Sequence, residues 1–249
     1  MRQIFVSDLH LQNERPDLVR AFLHFLATDA RRADQLYLLG DIFEAWIGDD
    51  APFPGTQPVL DALKAVADSG VELFFQHGNR DFLVGEQFAT QVNCTLLPDS
   101  QLINSADNRP LLLMHGDQLC TDDVEYQQMR MMLRNPQWQQ SVLSKSVEER
   151  IAMARQLREA SKEKGSQKAE YITDVNSGAV ISALETANTT LLLHGHTHRP
   201  AVHDITLTDG SEAQRIVLGD WDQQGWYLEW DENGYQLIDF EIESYLANA

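Results

Sequence analysis

The chain has 249 residues, 43% hydrophobic and 23% charged, with 38 Asp and Glu against 19 Lys and Arg for a net charge of −19. So acidic a surface opposes nonspecific binding to nucleic acid, which needs cations along the phosphates, and no apolar run approaches the roughly 18 residues of a membrane span. The N-terminal MRQIFVSDLH puts a carboxylate and an imidazole where a signal peptide needs its apolar stretch, so a cytosolic protein is expected. Length and composition predict a single α/β domain over 1–249 with a sizeable insertion. Cys94 and Cys120 lie in separate segments with no zinc spacing, which predicts free, reduced thiols.

The first apolar run, IFVSDLH (4–10), reads as a buried strand that ends on Asp8 and His10. A helix follows over 17–31, where Leu18, Phe22, Phe25 and Leu26 recur at helical spacing behind Pro16 and Asp17. LYLLGD (36–41) is a second strand and delivers Asp41. A second helix over 59–67 carries Leu60, Leu63 and Val66, with Gly70 where a helix stop belongs. LFFQHGNRD (73–81) is a third strand, ending in Asn79 and Arg80. Strands alternating with helices imply parallel pairing. LLLMHGD (111–117) adds a fourth strand with His115 near its end.

From 121 to 170 the pattern changes to helical periodicity without a strand-like run. Met129, Met132 and Leu133 share one face, and Ser146 to Glu149 has the form of a capping box ahead of Val147, Ile151, Ala154 and Leu157. An inserted helical hairpin is expected here. It concentrates cations: Arg130, Arg134, Lys145, Arg150, Arg155, Arg158, Lys162, Lys164 and Lys168. LLLHGHTH (191–198) is a fifth strand, tipped by His196 and His198. Beyond it, the runs 201–207, 214–220, 225–230 and 235–242 alternate in polarity and turn at Asp209-Gly210 and Asn233-Gly234, predicting an antiparallel sheet that closes the fold.

In open α/β sheets, ligands gather at the carboxyl ends of strands. Asp8, His10, Asp41, Asn79, His115, His196 and His198 all sit there, with enough oxygen and nitrogen for two metal ions. Carboxylate with imidazole suits Mn, Fe, Co, Ni or Zn, and Asp41 has the two oxygens a bridge needs. Two such cations would activate water and neutralise charge on a phosphoryl group. No GxSxG or Cys/His elbow suggests a side-chain nucleophile instead.

Taken in order, DLH, GD, GNxD, H and GHTH, from Asp8 to His198, the chain resembles the calcineurin-like metallophosphoesterases. The resemblance implies a four-layer αββα sandwich with metals at the top of the central sheets. By it, one ion takes Asp8, His10, Asp41 and His198, the other Asp41, Asn79, His115 and His196, and catalysis falls to Asp41, Asn79, Arg80 and His115. Many members of that family carry a His where this chain has Arg80. An Arg cannot act as an acid at ordinary pH, yet its fork can clamp phosphate oxygens, which suits a leaving group that needs little protonation.

Five further runs, LGDIFEAWIGDD (39–50), HGNRDFLVG (77–85), HGDQLCTDD (115–123), ITDVN (172–176) and HGHTHRP (194–200), narrow the resemblance to family members that act on UDP-2,3-diacylglucosamine in lipid A synthesis of Gram-negative bacteria. This implies Mn-dependent attack of water on the α-phosphorus, with two Mn ions per chain, giving UMP and 2,3-diacylglucosamine 1-phosphate. Substrate contacts would fall on Asn79, Arg80, Asp123, Ser161, Lys168 and His196, with Gly165 offering backbone only and Lys164 able to take over. The insertion over 121–170 would cap the acyl chains, and the chain is expected to act as a monomer lying peripherally on the cytoplasmic face of the inner membrane. Another binuclear phosphoesterase, acting on a different nucleotide or phosphoester, is the alternative reading.

Overall fold

The computed structural model describes residues 1–159 and 174–247 in full and 160–167 through the backbone. Its first half alternates strand and helix: β1 (Gln3–Val6), α1 (Pro16–Ala27), β2 (Gln35–Leu38), α2 (Gln57–Asp68), β3 (Glu72–Gln76), α3 (Glu86–Val92) and β4 (Cys94–Leu97). The four strands pair in parallel, as crossover helices require. Next come β5 (Ser100–Asn104) and β6 (Pro110–Met114), then α4 (Val124–Leu133), α5 (Pro136–Leu143), α6 (Val147–Gln167) and α7 (Ser177–Ala187). The chain closes with β7 (Leu191–His194), β8 (Ala201–Thr206), β9 (Glu212–Val217), β10 (Gln224–Asp231), β11 (Gly234–Glu241) and α8 (Ile242–Ala247).

Two sheets result, one in the order β11-β10-β1-β2-β3-β4 and the other in the order β5-β6-β7-β9-β8. Each central strand is apolar on both faces, and alternate residues supply different layers. Ile4, Val6, Leu36 and Leu38 pack among Phe22, Phe25, Leu60 and Leu63 of the helices. Phe5, Tyr37 and Leu39 turn the other way, against Leu111, Leu113, Leu191 and Leu193 of the second sheet. On the far face, Leu112, Met114 and Leu192 meet Val180 and Leu184 of α7. The layers therefore run helix, sheet, sheet, helix, the expected αββα sandwich.

Several elements differ from the sequence reading. The two C-terminal hairpins do not build one antiparallel sheet. β9 joins the second sheet parallel to β7 and antiparallel to β8, whereas β10 pairs antiparallel with β1 and β11 in the first. Local turn chemistry specifies each hairpin but not the sheet it joins. Helix α1 stops at Ala27 rather than continuing to 31, since the Thr28 hydroxyl donates to the His24 carbonyl and a short 3₁₀ turn, Ala30–Arg32, follows. The expected hairpin is three helices. Asn135 caps α5 through the amides of Gln137 and Trp138, with Pro136 in its first turn. Ser146 and Glu149 cap α6 reciprocally, at 2.9 and 3.3 Å. No helix among the described residues is long and apolar enough to cross a membrane.

Candidate metal centre

β1, β2, β3, β6 and β7 end at one edge of the sandwich, and the residues just past them bend sharply. Asp8, His10, Asp41, His196 and His198 adopt left-handed backbone, with φ of 56, 49, 54, 66 and 55°. Elsewhere among the described non-glycine residues this conformation falls on Asn93, Asn108 and Asn188, the residue type that tolerates it best. Left-handed Asp and His cost on the order of 1 kcal/mol each and persist only where surroundings fix them. The motif glycines permit the crowding. A Cβ on Gly78 would overlap the Asp41 carboxylate, and one on Gly195 would overlap the Asp8 carboxylate and the Ser7 hydroxyl.

Two groups of ligand atoms form there. Asp8, His10 and His198 each place an atom within 4.8 Å of the others, and so do Asp41, His115 and His196. The groups abut, since the His196 amide donates to Asp8 Oδ2 at 2.8 Å. Ser7 Oγ donates to the same oxygen at 2.6 Å, while Asp8 Oδ1 is buried without a hydrogen-bond partner. Nε2 of His10 and Nε2 of His198 lie 3.3 Å apart. In the second group, Asn79 Oδ1 is 3.1 Å from His115 Nε2, and Asp41 Oδ2 is 3.7 Å from it. Asp41 Oδ1 accepts from the Arg80 amide at 2.7 Å. All seven sequence-predicted ligands therefore converge.

Behind them, oxygen atoms orient the rings. His115 Nδ1 faces the Leu39 carbonyl at 2.9 Å, His10 Nδ1 the Glu44 carboxylate at 2.9 Å, and His198 Nδ1 that of Asp220 at 3.4 Å. Each partner favours a proton on Nδ1 and leaves Nε2 turned into the site. Electrostatics agree. Burial alone would raise the Asp8 carboxyl, but contact with His198 and the charges of His115 and His10 hold it well below the usual range. Burial raises Asp41 to about 6 despite His115 and His10. Against the cost of burial, Asp8 and Asp220 lift His198 to about 9, Glu44 lifts His10, and Asp41 and Asp8 lift His115. His196, buried and beside His115, falls to about 4. Such a site stores protons on imidazoles that a cation would displace.

Other predicted residues stand as follows. Arg80 is half-buried, and its Nε has no hydrogen-bond partner. The Asp123 side chain caps α4, accepting from the Tyr126 amide at 3.0 Å. The side chains of Ser161, Lys164 and Gly165, and the whole of Lys168, lie outside the described residues. Four insert arginines fasten helices to the core instead of standing free. Arg130 pairs with Asp99 and Asp117, Arg134 with Asp99, Arg150 with Asp50, and Arg158 with Glu44.

Sequence reasoning passed over the residues that hold the ligands in place. Asp81 accepts from the amides of Gly78, Ile42 and Asp41 at 2.8, 2.8 and 3.2 Å, pinning the loops after β2 and β3 together. Asp117 accepts from the Tyr126 hydroxyl and Arg130 Nε, both at 2.8 Å. Both residues stood in quoted motifs, GNRD and HGD, and were the available signal. Glu44 and Asp220 also lay in quoted runs, 39–50 and 214–220, but neither run assigns them to a histidine.

Residues 1–200 match the family model described as calcineurin-like phosphoesterase. The UDP-2,3-diacylglucosamine hydrolase of Tolumonas auensis is 47% identical over 244 residues, spanning 98% of this chain and 99% of that protein. Its namesake from Marinobacter nauticus is 49% identical over 233 residues, spanning 94% and 95%. Among solved structures, a 5'-nucleotidase precursor from Thermus thermophilus aligns at a TM-score of 0.45 and 12% identity, over 100% of this chain and 58% of that one.

Proposed function

Because this chain belongs to the calcineurin-like phosphoesterases, and within them to the UDP-2,3-diacylglucosamine hydrolases, we propose that it hydrolyses the diphosphate of UDP-2,3-diacylglucosamine in lipid A biosynthesis. Water attacks the α-phosphorus, and UMP and 2,3-diacylglucosamine 1-phosphate leave. The observation that carries this reading is the pair of abutting carboxylate–imidazole groups at the strand tips.

Asp8, His10, Asp41 and His198 would hold one divalent ion, and Asp41, Asn79, His115 and His196 the other. The donor set fits: carboxylate, amide and imidazole atoms, with Asp8 Oδ1 buried, without a hydrogen bond and 3.4 Å from His198 Nε2. Manganese is the proposed metal. Bound there, the pair supplies Lewis acidity to the phosphoryl oxygens and lets water lose its proton near neutral pH. The chain's own residues then orient the reactants. Arg80, permanently charged, holds oxygens of the departing phosphate and offsets their growing charge without giving up a proton. A phosphate leaving group needs no general acid, so an Arg serves there.

The segment 121–170 is proposed as a cap inserted into a single domain over 1–249, taking the sugar and acyl chains with contacts from Asp123, Ser161, Lys164, the Gly165 backbone and Lys168. Val124, Met131, Met132, Leu143, Val147 and Ile151 support this, being exposed large apolar side chains on these helices. Exposed apolar side chains on these helices also suit a peripheral seat on the cytoplasmic side of the inner membrane, with the chain acting as a monomer. The deciding experiment combines metal analysis with release of UMP from UDP-2,3-diacylglucosamine, set against p-nitrophenyl phosphate and cyclic nucleotides. Two equivalents of metal and strong preference for the diacyl substrate are expected; preference for a monoester or cyclic diester overturns the reading.

A further inference from the structure

The loops after β1 and β2 run side by side. The His10 amide donates to the Asp41 carbonyl at 3.0 Å, Leu11 to Ile42 at 2.9 Å, and Glu44 back to Leu11 at 3.1 Å, with a parallel bridge between Leu11 and Phe43. This short ladder fixes Glu44 next to His10 by backbone alone. The Glu44 carboxylate then divides its two oxygens. Oε2 is 2.9 Å from His10 Nδ1, and Oε1 is 2.8 Å from Arg158 Nη2 on α6. Arg80 also lies close enough for its charge to act on Glu44, so cations from three elements face this half-buried group.

We propose that Glu44 is a positioning residue that ties α6 to the proposed metal position of Asp8, His10 and His198, so that cation binding there and docking of α6 strengthen each other. A carboxylate 2.9 Å from Nδ1 favours a proton on that nitrogen, which leaves the Nε2 lone pair facing the site and makes it a better donor. The same carboxylate is what Arg158 binds, so helix and ring depend on one anion in one place. Whatever orients Glu44 for one partner orients it for the other, and the coupling is reciprocal. An amide cannot substitute. In Glu44→Gln a single oxygen remains, and either His10 or Arg158 meets an NH₂ group instead.

This inference rests on the ligand assignment proposed above, and the test separates the two. Metal-free full-length chain is titrated calorimetrically with Mn²⁺, and amide exchange of residues 147–159 is followed with and without the ion. Glu44→Gln is expected to weaken one equivalent by about 10- to 100-fold and spare the other. Arg158→Ala, on the half-exposed end of the link, is expected to weaken the same equivalent by about fivefold. Mn²⁺ should slow exchange along α6 in the native chain and not in Glu44→Gln. Both equivalents binding Glu44→Gln within twofold of normal, or α6 exchange indifferent to Mn²⁺ in the native chain, overturns the link. His10→Ala decides which idea has failed. If it loses one equivalent while Glu44→Gln loses none, only the link is wrong; if it keeps both, the ligand assignment falls and takes the link with it.

Discussion

The strand-tip cluster and the helices α4 to α6 are held by opposite means. At the strand tips, strained backbone, close-packed glycines and the buried carboxylates of Asp81 and Asp117 fix each ligand before any ion or substrate arrives. The helices carry part of their apolar surface outward and attach through a few apolar contacts, Val142, Trp138 and Met153 against the core, and through the long side chains of Arg130, Arg134, Arg150 and Arg158. Charged attachments on flexible stems are weaker and easier to reorganise than a packed core. With the proposed cap assigned to these helices, the chemistry is preorganised and the recognition adjustable. Substitutions in the two regions should therefore fail in different currencies, turnover in one and substrate selection in the other.

The largest effect belongs to Asp41→Ala. As the proposed bridge, Asp41 would serve both ions, so the variant is expected to bind neither ion stably and to lose nearly all turnover on every phosphoester, by metal analysis and initial rates. Retained turnover would show that the strand-tip chemistry does not depend on Asp41. Arg80→Ala comes next, with both ions retained and kcat lowered by about 10² to 10³, the scale of one lost charge-stabilising donor. A change below threefold would mean that the guanidinium does not meet the reacting phosphate.

Arg150→Ala probes the adjustable region. Its guanidinium is 3% exposed and bonds the Ile47 carbonyl and the Asp50 carboxylate at 2.7 Å. Loss of this anchor should raise KM for UDP-2,3-diacylglucosamine about tenfold, the worth of one charge-assisted hydrogen bond, and leave kcat/KM on a small soluble phosphoester unchanged. Equal losses on both substrates would mean that the anchor supports the metal centre and that the two regions are not separable.

The same division explains what could be read from the sequence. The ligands were legible because each one closes an apolar run, and strands tip their last residues toward one edge whatever lies between them. Runs apolar on both faces pointed to parallel strands covered by helices, while the four-layer sandwich came from the family resemblance. Short elements stayed hidden: α3 spans Glu86–Val92, β4 Cys94–Leu97 and β5 Ser100–Asn104, too brief for periodicity to separate them from loop. The sheet assignment of β9 and β10 depends on long-range pairing that no local pattern encodes. Arg130, Arg134, Arg150 and Arg158 read in sequence as one cationic cluster because partners such as Asp99, Asp50 and Glu44 lie tens of residues away. A cluster of like charge in sequence says little about which charges remain unpaired in the fold.

A last prediction leaves activity untouched and tests how rigid the strand-tip region is without any ligand. His194 is fully buried at the end of β7, its Nδ1 2.8 Å from the Gly195 carbonyl and its Nε2 without a partner. Burial first, then repulsion from Arg215, His196 and His115, lowers its pKa to about 3. In the unfolded chain an imidazole titrates near 6.5. Above that pH both states are neutral and His194 adds no pH dependence. As pH falls from about 6.5 toward 3, the unfolded chain takes a proton that the folded chain refuses, so stability drops by up to about 1.4 kcal/mol per pH unit from this residue. His194→Gln should remove that slope, seen as a smaller shift in urea midpoint between pH 7 and pH 5 in metal-free protein. An unchanged slope would mean that the ring accepts its proton in place, and that the strand end yields in a way its packing argues against.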